Sequence, residues 1–71
     1  MHKWMNDKDG DIGRAADVFV ATIPNLTKVE LHDLDYLRQN QEGWMFIGAA
    51  IAIAESHQHA IPQYIRDLAE Q

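Results

Sequence analysis

The stretch "WMFIGAAIAIA", residues 44–54, decides the fold. Its eleven residues carry no charge, yet a bilayer span needs about twenty. The same residues therefore read as a helix of a globular domain, apolar on every side. Trp44, Ile47 and Ile51 share one side, Phe46 and Ile53 lie nearly opposite, and Gly48 and Ala52 form a notch of small residues. A helix without a polar face must be surrounded. So short a chain has few other helices to do this, and an uncovered side at the notch would be closed by a partner protein or a second copy.

Working outward, the best local signal is "NLTKVEL", residues 25–31. Thr27 and Glu30 have the spacing of a capping box, and Leu26 can staple onto Leu31 across the helix start. Val29, Leu34 and Leu37, with Tyr36 at the edge, continue an apolar face, while Glu30, Asp33, Asp35 and Arg38 read as solvated. Gly43 is a natural stop for this helix. Upstream, Ile12, Ala15, Ala16, Phe19, Val20 and Ile23 recur at helical spacing. Asp11 suits the N-cap, and Pro24 pushes its predecessor out of the α region. Downstream, Pro62 fits a first helical turn, and Ile61, Tyr64, Ile65 and Leu68 face inward. The expectation is an all-α, compact bundle of four short helices, over 11–23, 27–42, 44–56 and 61–70. Residues 1–10 form a flexible acidic leader, in which Met1, Trp4 and Met5 could dock as one turn. Residues 11–71 make a single domain.

Seventy-one residues lie near the lower limit for a self-sufficient core, hiding only ~60% of the unfolded chain's surface. With no cysteine, thiolate chemistry and disulfides are absent, which fits a cytoplasmic setting. The N-terminal residues lack the apolar core of a secretory signal. Eleven acidic against six basic residues give a net charge of −5. This disfavours free nucleic acid, whose binding relies on a basic face, and favours a basic protein surface.

Three motifs bear on chemistry. "NDKDGDIG", residues 6–13, sets Asp7, Asp9 and Asp11 at the first positions of a calcium loop. The loop's required glycine and bidentate glutamate fall instead on Ile12 and Val18. The segment reads as an acidic lead-in to a helix. "ESHQH", residues 55–59, offers Glu55, His57 and His59, but an H-x-H pair does not share a helix face and lacks further ligands at metal spacing. An exposed polar turn is the expectation. Ser56 is the one serine, and adjacency to His57 is not the spatial relation a nucleophile and base need. No catalytic, cofactor or metal residue is assigned, and no enzyme activity is expected.

"LHDLDYL", "EGWMFIGAA" and "SHQHAIPQYIRDLAE", within residues 31–70, resemble the helix-turn-helix DNA-binding domain of LysR-type regulators. The resemblance rests on Leu31, Leu34, Tyr36 and Leu37 in a first helix and Glu42 and Gly43 at a turn. Phe46, Ala49 and Ala50 match in a second helix; Ser56, Gln58, Ala60, Ile61, Ile65, Arg66 and Leu68 match in a recognition helix. It needs one single-residue deletion and one insertion, and no wing is matched. It implies that His57, Gln58, His59 and Gln63 reach base edges, with Arg66 near phosphate. Pro62, however, would interrupt that helix.

The leading expectation is a small, acidic, non-enzymatic protein acting through protein–protein contacts, an inhibitor or adaptor of the kind mobile elements encode. Trp44, Gly48 and Ala52 would make the contact and Asp33 and Asp35 would steer a basic partner. A homodimer through the same notch is a further option. The alternative is a helix-turn-helix DNA-binding regulator.

Overall fold

A computed structural model describes residues 8–70 and places them in four α-helices: α1 (Lys8–Val20), α2 (Lys28–Asn40), α3 (Gly43–Ser56) and α4 (Gln63–Ala69). The all-α expectation holds. Residues 8–10, expected to belong to a flexible leader, are part of α1. Residues 1–7, with Met1, Trp4, Met5 and Asp7, lie outside the described residues.

α3 is the hub, packing against α1, α2 and α4, while α1 and α2 touch each other little. Small residues explain how closely the hub is approached. Gly13 and Ala16 of α1 and Gly43, Ala50 and Ala54 of α3 are all buried, so the backbones can come together without large side chains between them. Ile12, Phe19, Val20, Ile23, Leu34, Phe46, Ile47 and Ile65 complete the core. The Cα atoms extend 31 × 25 × 15 Å. A 15 Å thickness fits two helix layers, whose axes pack about 8–10 Å apart. In a two-layer slab the hub helix keeps one side open.

The ends of the helices follow local chemistry. α2 starts with a complete capping box: Thr27 N–H donates to Glu30 Oε1 at 2.9 Å, and Glu30 N–H donates to Thr27 Oγ1 at 3.1 Å. α1 stops at Val20, and a tighter turn carries the chain on to Ile23, with Thr22 N–H on Phe19 O and Ile23 N–H on Val20 O. Asn25 then takes a left-handed conformation, φ 62°, which asparagine tolerates better than most residues.

Five local expectations are corrected. Asp11 is not a cap; it lies in the second turn of α1 and pairs with Arg14 three residues on. Val29 is 69% exposed rather than part of the α2 face, because Leu34, not Val29, sets the buried line of that helix. Tyr64 is likewise exposed, leaving Ile65 as the buried anchor of α4. Gly43 does not end α2, which closes at Gln41 through an N–H to Leu37 O. It opens α3, buried and without positive φ. Trp44 and Ile47 do not share an environment: Ile47 is sealed in the core and Trp44 is 57% exposed.

Candidate protein-docking surface

Successive residues of a helix are turned about 100° from each other. On α3 the buried residues Gly43, Phe46, Ile47, Ala50 and Ala54 occupy one arc. Trp44, Gly48 and Ala52 recur every four residues on the opposite arc, with Met45 beside them and Glu55 at its C-terminal end. All five are exposed. A Cβ built on Gly48 would meet no atom within 4 Å, so the notch is open space above a flat stretch of helix. Its one large aromatic, Trp44, stands at the N-terminal end of the stripe. Thus the three apolar residues expected to meet a partner do lie together and face outward.

The two aspartates expected to steer that partner separate. Both are exposed, but they flank the buried Leu34 on opposite sides of α2. Arg38 marks the side of Asp35: its guanidinium meets Asp35 Oδ1 at 3.1 Å and Asp17 Oδ1 of α1 at 2.7 Å. Gln39 Nε2 also donates to Asp35, at 3.1 Å. Asp35 therefore belongs to the α1 side of α2, and Asp33 to the side turned away from α1. Arg38 is not a solvated side chain but a clamp between helices, and it also stacks over the Phe46 ring, 5.3 Å from its centroid.

The "ESHQH" turn is not the exposed polar turn expected of it. His57 and His59 are half-buried and point to different helices. His57 Nε2–H donates to Glu30 Oε1 at 2.8 Å, which links the end of α3 to the cap of α2. Glu30, expected to be solvated, accepts from both Thr27 N–H and His57. The backbone hydrogen bond from Thr27, then that from His57, holds its carboxyl below the usual 4.5. His59 Nε2 lies 3.2 Å from Thr22 Oγ1. Thr22 spends its hydroxyl hydrogen on Phe19 O at 2.6 Å, so His59 must be the donor, with Nε2 protonated. The His59 ring also leans on Phe19, centroids 6.0 Å apart. Between them Gln58 has φ 56°, the local device that turns the two imidazoles apart. Nothing in "ESHQH" as a string names Glu30 or Thr22 as partners; those pairings span 27 and 37 residues.

The other residues implied by the DNA-binding resemblance are placed as follows. Ser56 ends α3, and its hydroxyl donates back into that helix, to Ile53 O at 2.8 Å. Residues 57–62 are not helical, and the seven-residue α4 begins only at Gln63. Gln63 donates to Asp67 at 3.0 Å, and Arg66 pairs with Glu55 at 3.5 Å. The span 56–68 is thus a helix end, a turn and a short helix. Asp9 and Asp11, from the calcium-like segment, both lie within α1, where the backbone cannot wrap round an ion. Among the described residues no three His, Asp or Glu side chains gather where a metal could sit, and no helix is long and apolar enough to cross a membrane.

No protein-family model matches the chain, and no curated protein and no solved structure is significantly similar to it.

Proposed function

We propose that the chain is a small, acidic, non-enzymatic binding protein, an inhibitor or adaptor working in the cytoplasm, and that it docks on a partner protein through the outer face of α3. The single observation behind this reading is that the most apolar helix of the fold leaves Trp44 57% and Met45 39% exposed, on one stripe with Gly48 and Ala52. Exposed aromatics beside small residues suit an interface, where tryptophan anchors contribute most and small residues permit close approach. The net charge of −5 favours a partner with a basic surface, and Asp33 lies on the flank of α2 that turns away from α1. Basic residues at the rim of such a partner would speed encounter more than they would tighten the complex.

The test compares wild type with Gly48→Leu, which adds bulk where a Cβ meets open space and so leaves the fold intact. Pull-downs from native lysate, with and without nuclease, and sedimentation of the purified chain are read together. The reading expects a protein captured by wild type, insensitive to nuclease, and lost with Gly48→Leu while the melting curve is unchanged. Self-association lost in the same variant would identify a second copy as the partner. Equal capture by both forms overturns the reading. Capture abolished by nuclease also overturns it, and moves the case to nucleic-acid binding.

A further inference from the structure

A second surface lies on the other side of α2. Because α1 and α2 touch little, a groove of about 420 Å³ runs between them, walled by Val20, Ile23, Leu26 and Leu31 and closed at one end by Asp17 and Arg38. That volume falls in the ~300–1,000 Å³ range of ligand clefts. None of the lining residues belongs to α3, so the groove is separate from the stripe around Trp44.

The two leucines of the expected hydrophobic staple face this groove. Leu26 and Leu31 have the spacing to meet over the start of α2. Both line the groove, and Leu31 remains 51% exposed. A leucine half in water beside three further apolar walls is surface that an apolar side chain would cover. Charge then fixes a direction. Asp17 and Arg38 line the groove, and Asp35, just outside the lining, shares the same guanidinium, which leaves one negative charge in excess at this edge. Lys28 lies in the first turn of α2, also outside the lining.

We propose that this groove receives an amphipathic helix from a partner protein, seating a large apolar side chain against Ile23, Leu26 and Leu31 with a lysine or arginine one turn along, beside Asp17 and Asp35. This is the helix-in-groove mode of recognition, in which apolar anchors give affinity and flanking charges give register. Together with the α3 face it makes the chain a bridge between two proteins. The groove proposal does not depend on that face and can stand or fall without it.

A phage-displayed library of amphipathic helices tests it, selected on the wild-type chain and counter-selected on Leu31→Arg, a substitution at a half-exposed position. The expected result is an enriched set sharing a large apolar residue followed one turn later by Lys or Arg. A representative peptide should bind Leu31→Arg at least tenfold more weakly, shift the amide resonances of Val20, Ile23, Leu26 and Leu31, and leave those of Trp44 and Gly48 unmoved. Asp35→Lys should lower affinity for the basic peptides and enrich acidic ones when selection is repeated. The proposal is overturned by enrichment that Leu31→Arg does not discriminate, by peptides without a basic residue at that turn, or by shifts centred on α3. Movement of the groove resonances when the chain alone is concentrated would also overturn it, since a second copy would then fill the groove.

Discussion

On the inner face of α3, Gly43, Phe46, Ile47, Ala50 and Ala54 are sealed from solvent; on the outer face, Trp44, Met45, Gly48 and Ala52 are open to it. Each face combines small residues with one aromatic, so composition does not separate them. What separates them is the supply of neighbours. α1, α2 and α4 crowd one side of the hub, and a slab 15 Å thick has no layer left for the other. The contrast teaches that an apolar helix in a very small domain need not be wholly core. The part that the other three helices leave exposed is the part available to something else.

The largest expected effect separates the two aromatics. Phe46 is fully buried under the Arg38 guanidinium, and Phe46→Ala should cost about 3–5 kcal/mol through lost burial and the cavity left behind. For a domain near the lower limit of size, that is most of its stability. Trp44→Ala, two residues earlier and 57% exposed, should cost far less, about 1 kcal/mol. Urea denaturation followed by circular dichroism measures both. If Trp44→Ala destabilised as much as Phe46→Ala, the outer face would be packed within the monomer and the comparison would break.

A smaller effect is expected where α2 is pinned to the end of α3. Thr27→Ala removes the cap of α2 and should cost about 1 kcal/mol. Acid titration probes the same corner through Glu30, whose carboxyl sits below its usual value because Thr27 N–H and His57 hold its charged form. A depressed carboxyl contributes stability above its unfolded value and loses that contribution as pH falls through the folded one. Wild type should therefore lose stability below about pH 4.5, and Glu30→Gln should show a shallower loss over the same range. Identical acid slopes would mean that the Thr27–Glu30–His57 corner does not hold α2 against the hub.

Much of this architecture was legible in the sequence, and the reason differs by element. The capping box at Thr27 and Glu30 is encoded within four residues, and it forms as written. The inward line of α1, from Ile12 to Val20, follows from period alone. The outward stripe of Trp44, Gly48 and Ala52 was legible as a group because a helix places every fourth residue on nearly one side. Which arc of α3 would be covered was not, since that depends on where three other helices settle. The same limit hid the tasks of Arg38, Glu30, His57 and His59, each of which meets a partner more than twenty residues away. It also split Asp33 from Asp35: Leu34 between them turns inward, and Arg38 draws only Asp35 toward α1.

The smallest expected effect gives the most direct reading of the outer face. In a helix interior glycine is disfavoured relative to alanine by about 0.5–1 kcal/mol, chiefly through the backbone entropy lost on folding. At Gly48 the new methyl would meet nothing within 4 Å, so no clash offsets that gain. Gly48→Ala should therefore raise the stability of the isolated chain by about 0.5–1 kcal/mol, read as a higher urea midpoint with an unchanged slope. A glycine at a position where alanine would fold better suits a close approach from outside the monomer. The same variant then sharpens the comparison, because a close helix-to-helix approach at the notch would be weakened by the added methyl even as the chain itself becomes more stable. If Gly48→Ala instead lowered stability, the outer arc of α3 would already be occupied by the protein's own chain, and the distinction between its two faces would fail at its centre.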